Sequence, residues 1–342
     1  MSSNDTLDNK CPSCGANVKF NPKSQRWDCE YCGSSFDVSA FKNEENECIE
    51  HWEQYTCKNC GAIVICDINT TATECVYCGN TTIIKDRLQG EFKPDKIIPF
   101  KTVKEDAIES FKNLVKKKFF APKTFSNKDN IEKITGIYIP FWLFDGNVFA
   151  EFNIDGKKTH SWRSGDYIYT ETETYDVVRS GEEIFIDVPV DGSTKFNDII
   201  MDSIEPYEYG DFKEFNKSYL AGFLAERYDQ KSDDVYSRAK ERIENTISEE
   251  IMKTVTGYSS ISVKNSKINI AKGRPEYALL PVWMLNVKYN EEYYTFAMNG
   301  QTGKCVGNIP IDVDQVIKKS TIFFAICEVL TFIFCYVLGG AL

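Results

Sequence analysis

Histidine is nearly missing from this chain of 342 residues: there are two, His51 and His160, far apart in the sequence. No G-x-S-x-G, H-E-x-x-H or G-x-G-x-x-G segment occurs, so the usual nucleophile elbow, zinc-protease helix and dinucleotide loop are all lacking. Gly300-Gln301-Thr302-Gly303-Lys304-Cys305 approaches a phosphate-binding loop. Met298 stands where the first glycine belongs and Cys305 where Ser or Thr belongs, so a hairpin turn is the better reading. Acidic residues are plentiful, but no pair stands out from a solvated surface. These gaps point away from an enzyme, and no small-molecule substrate is indicated.

An excess of positive charge is also lacking. Forty Lys and Arg face 51 Asp and Glu, a formal charge of −11. Phosphate backbones repel such a chain unless it carries a local basic stripe. The start, MSSNDTLDNK, has no apolar run and is not a secretory signal. Thirteen cysteines without such a signal suggest a reducing compartment and metal binding rather than disulfides.

Ten of those cysteines lie between residues 10 and 83. Cys11-x2-Cys14 and Cys29-x2-Cys32 form one block, Cys57-x2-Cys60 and Cys75-x2-Cys78 a second. Each ligand recurs after 46 residues, which marks an internal duplication. Four thiolates suit tetrahedral Zn2+, and the glycine after each pair (Gly15, Gly33, Gly61, Gly79) allows the positive φ of a metal-binding knuckle. Two knuckles joined by a hairpin make a zinc ribbon. Iron in a four-cysteine site is the alternative. With every position a thiolate, no coordination site is left for water, so both metals read as structural. Cys66 stands at the repeat position of Phe20 and reads as core filler; Cys48 and His51 fall in the charged linker. Residues 1–90 hold 8 Lys and Arg against 13 Asp and Glu. That balance favours protein contact over nucleic acid.

The remainder reads as an α+β body, 91–315. Thr102-x-x-Glu105 has the form of a capping box. Ala107, Ile108, Phe111, Leu114, Val115 and Phe119 then share a helical face, and Pro122 stops the run. Asp145-Gly146, Asp155-Gly156 and Ser180-Gly181 read as turns between strands, and Asn299-Gly300 as a hairpin. Helices are expected near 211–228 and 233–255. Ile139-Pro140-Phe141-Trp142 resembles Leu280-Pro281-Val282-Trp283, which suggests two related halves. The lysines 112, 116, 117, 118, 123 and 128 suit either anionic lipid or a solvated helix end.

From Ser320 to Leu342 the chain is almost wholly apolar. As a helix it would span ~34 Å at ~1.5 Å per residue, against a hydrocarbon core of ~30 Å. Glu328 is its one charge; it could pair with a partner's helix or stay protonated. With Lys318 and Lys319 just before it, the positive-inside rule predicts a single-pass, C-terminal tail anchor with the N-terminal domains in the cytoplasm.

The ribbon pairs, together with GIYIPFWLFD (136–145), SYLAGFLAERYD (218–229), LLPVWMLNVKY (279–289) and FAMNGQTGK (296–304), resemble a bacterial, mainly Firmicute, family. Its members are described as zinc-ribbon proteins of the transcription-factor-IIB type, and relatives are sometimes labelled primosomal protein N′ or superfamily II helicase. The resemblance implies function for the eight ribbon cysteines alone and a hydrophobic C-terminal segment. It also implies partners among phage-shock or flotillin-like membrane-stress proteins. The expected organisation is therefore zinc ribbon 1 over 1–45, zinc ribbon 2 over 46–90, the body over 91–315 and a transmembrane anchor over 316–342. The expected function is a non-enzymatic membrane adaptor for protein partners. A nucleic-acid-binding, transcription- or replication-related protein is the alternative.

Overall fold

The computed structural model describes residues 10–41, 53–66, 75, 77, 83–87 and 94–339. The first cysteine block folds as a three-stranded antiparallel sheet of β1 (Val18–Asn21), β2 (Arg26–Cys29) and β3 (Ser35–Phe36). Asn21 makes the β1–β2 turn, its Oδ1 accepting the N–H groups of Lys23 and Ser24. Alternation buries Val18 and Phe20 on β1, and Trp27 and Cys29 on β2.

In the second block, β4 (Glu53–Cys57) pairs antiparallel with β5 (Ile63–Cys66) and with β6 (Ile83–Arg87). This block is continuous with the body. Its β5 pairs with a body strand, which places all three strands in one twelve-stranded sheet.

The body starts at β7 (Lys96–Ile97), followed by α1 (Lys104–Lys117) and the short α2 (Lys128–Ile131). The long strands β8 (Thr135–Ser164) and β9 (Tyr167–Asp191) form a hairpin. Next come α3 (Asp198–Ile204), β10 (Lys213–Glu214), β11 (Leu224–Glu226) and α4 (Ser232–Lys253). The strands β12 (Ser260–Lys272), β13 (Glu276–Tyr289), β14 (Glu292–Asn299) and β15 (Cys305–Gly307) lead into α5 (Val313–Gly339).

The two Pro-Trp segments lie side by side, β8 and β13 pairing antiparallel with Ile139 opposite Leu280 and Pro140 opposite Leu279. Each is flanked on its outer side by a short strand: β7 runs parallel to β13, and β11 parallel to β8. Phe100, just after β7, stacks on Phe223, just before β11, at 4.2 Å and 7°. Tyr138 and Trp283 close on Phe100 edge-on. Glycine is needed here for space: a Cβ at Gly300 would stand 2.6 Å from the Phe100 ring, and one at Gly136 2.7 Å from Phe223.

Several expectations are corrected. The body is mostly β rather than the expected α+β, with 30 and 25 residues in β8 and β9 alone. The helix expected near 211–228 is instead two 3-10 turns and two short strands. Tyr219, Leu220, Phe223 and Leu224 are buried by sheet pairing and loop packing; Asn216 caps a 3-10 turn, and Gly222 sits at φ +90°. Gly146, Gly156 and Gly181 are not in turns but inside β8 and β9, where the first two admit Ile270 and the Tyr258 ring. Thr102 does not cap α1: its hydroxyl donates to Gly300 O and accepts from Trp283 Nε1, while Asp106 accepts the Val103 N–H. The helix ends at Lys117, and Phe119 is exposed. Asn299-Gly300 does turn between β14 and β15, which pair antiparallel.

The transmembrane helix is also corrected. Residues 313–339 form one helix, but among the described residues no helix is long and apolar enough to cross a membrane. Among the described side chains of this helix, Lys318, Lys319 and Glu328 interrupt the apolar run. The single-pass membrane location, with the N-terminal domains in the cytoplasm, falls with it.

Candidate metal centres

Three knuckles are built alike. Gly15 N–H donates to Cys11 O at 2.8 Å, Gly33 to Cys29 at 2.9 Å and Gly61 to Cys57 at 2.8 Å. The cysteine N–H in turn donates to Ala16 O, Ser34 O and Ala62 O. All three glycines have φ near +70°: 74°, 70° and 69°. A Cβ at Gly15 or Gly33 would meet nothing within 4 Å, so the backbone angle, not space, calls for glycine. Each knuckle turns two sulfurs to one side.

At the first centre the sulfurs of Cys11, Cys14, Cys29 and Cys32 all lie within 4.8 Å of one another. Cys11 and Cys32 are 3.5 Å apart, and Cys14 and Cys29 3.6 Å. Four ligands at ~2.3 Å from one zinc at tetrahedral angles would stand about 3.8 Å apart, so the set fits a single ion of that size. Ser34 Oγ lies 3.2 Å from Cys32 Sγ, and this contact pulls the Cys32 thiol down to about 6.

At the second centre Cys57, Cys60 and Cys75 meet the same criterion, with Cys60 and Cys75 3.6 Å apart. The fourth expected ligand, Cys78, lies outside the described residues, as do Gly79, Cys48 and His51. The two clusters are thus able to hold a metal ion.

Both centres are tied to the body. Trp27, two residues before Cys29, is 1% exposed, packs on Phe20 and Tyr219, and donates its Nε1–H to Ser218 O at 2.8 Å. Gln25 Nε2 reaches Phe100 O at 2.7 Å. At the second centre Lys195 Nζ donates to Cys60 O at 3.0 Å, and Asn286 Nδ2 donates to Tyr77 O at 2.8 Å.

Sequence reasoning missed a buried acid near the second centre. Glu226, on β11, is 2% exposed; its Oε1 accepts from Ser193 Oγ at 2.8 Å. Burial pushes its carboxyl up to about 8. Burial, followed by the Glu226 charge, keeps the nearby Tyr77 phenol protonated. The segment SYLAGFLAERYD contained this residue, but a single glutamate among apolar neighbours carries no mark of burial on its own. The raised value means that the native state keeps a proton the unfolded chain has lost, so stability falls as pH rises from the ordinary 4.5 through about 8. Glu226→Gln removes that slope. Chemical denaturation is expected to show the variant gaining on the wild type by on the order of 4 kcal/mol between pH 5 and pH 9. Parallel pH profiles for the two proteins would refute this.

Over 310 residues the chain is 41% identical to YdjG of Bacillus subtilis strain 168, an uncharacterized protein, and the match covers 90% of this chain and 91% of YdjG. The chain belongs to the YdjG family. At that length the match extends well beyond the cysteine blocks. No protein-family profile and no solved structure matches the chain.

Proposed function

We propose that this protein is a non-enzymatic adaptor in which two structural zinc ribbons, of the transcription-factor-IIB type, sit on a β-rich body and bind protein partners. The closed four-sulfur set of Cys11, Cys14, Cys29 and Cys32 carries the reading. Such a set has no open position for water or substrate, and its metal acts by holding the fold. Zinc needs no redox partner and suits four thiolates.

Charge and exposure support a protein partner. The ribbon region is acidic, and zinc with four thiolates adds about −2 per centre, which disfavours a phosphate backbone. Tyr31, between Cys29 and Cys32, is 84% exposed, and tyrosine is a residue type that protein interfaces favour. Phage-shock and flotillin-like proteins, the partners the sequence resemblance implies, are the first candidates.

Two measurements test the reading. Elemental analysis of the full-length protein after gentle isolation is expected to give two zinc ions per chain. Cross-linking in cells is expected to capture a defined protein partner, with capture weakened by Tyr31→Ala. Tight binding of the full chain to nucleic acid, lost between low and moderate salt, would favour the transcription-related alternative.

A further inference from the structure

Twenty consecutive residues, 157–176, are exposed on both faces. They form the outer end of the β8–β9 hairpin. The flanking strand β12 stops at Ser260, opposite Lys157, and a last contact runs from Thr159 N–H to Ser259 Oγ. Beyond that point the arm is two strands wide, out to the turn at Gly165 (φ +62°). No other described strand pairs with either edge there. A bare two-stranded ribbon is marginal in water, and its free backbone edges are templates for further pairing.

The side chains make the two edges unlike. Between Lys157 and Ser164, β8 carries Lys157, Lys158 and Arg163 and no acid; between Tyr167 and Asp176, β9 carries Glu171, Glu173 and Asp176 and no base. Across the arm Lys158 faces Glu173, His160 faces Glu171 and Trp162 faces Tyr169. The rings of His160, Trp162 and Tyr169 stack in a row at 5.6 and 5.8 Å. The other face is a hydroxyl ladder, Thr159 with Thr172 and Ser161 with Thr170.

Joining two copies by like edges would set lysines and arginine near each other, or Glu171 near Glu171. Joining the β8 edge of one copy to the β9 edge of the next, arms pointing the same way, gives an antiparallel contact. Every cross-strand pair of the arm is then repeated between copies. We propose that this arm is an assembly element through which copies of the chain join head to tail in a shared antiparallel sheet. The occupant of each edge is thus a second copy of this chain, chosen by charge and by the repeated aromatic pair. A head-to-tail contact closes into a ring or continues as a filament. This inference does not depend on the ribbons or their metal.

The test uses the full-length chain. A mixture of Ser161→Cys and Thr170→Cys proteins is expected to form a disulfide between copies under mild oxidation, while neither variant alone does so beyond the wild-type background. The double variant Glu171→Lys, Glu173→Lys is expected to weaken self-association about tenfold in sedimentation velocity, with its circular dichroism unchanged. Monomeric sedimentation of the wild type at micromolar concentration would overturn the proposal. So would assembly that ignores the double variant and gives no added cross-link in the mixture.

Discussion

Cys29→Ser is expected to halve the bound metal, from two ions per chain to one, and to unfold the first ribbon while leaving the body intact. Cys29 is 2% exposed and ends β2, the strand that also carries Trp27. The sheet of β1, β2 and β3 spans 10 residues, too little apolar surface to fold alone. In comparable small sites metal binding supplies ~10–16 kcal/mol, which becomes folding free energy. The loss reaches the body through Trp27, Phe20 and Gln25, and through the Lys23–Asp106 ion pair. The expected readout is a red shift of Trp27 fluorescence and new protease cutting within residues 10–41, with the main thermal transition of the body retained. A variant that keeps two metals and an uncut N-terminus would sink the assignment of Cys29 as a ligand.

Arg238→Ala is expected to destabilise the body by about 3–5 kcal/mol near pH 8 and by less near pH 5. Asp191, at the end of β9, is 0% exposed, and its Oδ1 accepts from Arg238 Nη1 of α4 at 2.9 Å. Asp198 and Asp202 approach the same guanidinium at 3.2 and 3.4 Å. One turn along α4, Arg242 holds Glu205 with both nitrogens, at 3.0 and 2.5 Å, and donates to Pro189 O at 2.7 Å. This network fastens α4 and the chain around α3 to the end of β9.

Even with Arg238 in place, burial pushes the Asp191 carboxyl up to about 6. The native state therefore holds a proton that the unfolded chain has lost, and stability falls as pH rises from the ordinary 3.8 through about 6. Without the guanidinium the carboxyl rises further, so protonation relieves more of the penalty at low pH. Urea unfolding at pH 5, 6.5 and 8 measures the difference. An equal loss at all three pH values would show that Arg238 acts only by packing its stem.

The metal centres were legible in the sequence because each depends on contiguous residues. Cys-x2-Cys-Gly contains its own hydrogen bonds, from Gly15 to Cys11 for example, and its own positive φ. The long α4 was legible for a similar reason: Val235, Ala239, Ile243, Ile247 and Ile251 repeat every four residues and are buried. The segment 211–228 misled because its Tyr, Leu and Phe residues fit a helical face as well as they fit a packed loop. The choice was made by β8 and β5, far off in sequence, which take β11 between them. Asp-Gly pairs misled in the same way. In a short hairpin they turn the chain; within β8 their missing side chains make room for Ile270 and Tyr258.

By itself the sequence determined the two cysteine blocks, their knuckle backbone, the turn at Asn299 and the acidic balance, since each is a property of a few adjacent residues or of composition. Tertiary structure alone decided that the second block joins the body's sheet, that Trp27 anchors the first, that Glu226 and Asp191 are buried, and that β8 and β9 run on past their neighbours as a bare arm. Those outcomes depend on which distant strands compete for the same edge and on how much water each side chain loses, and no local pattern of letters encodes either quantity.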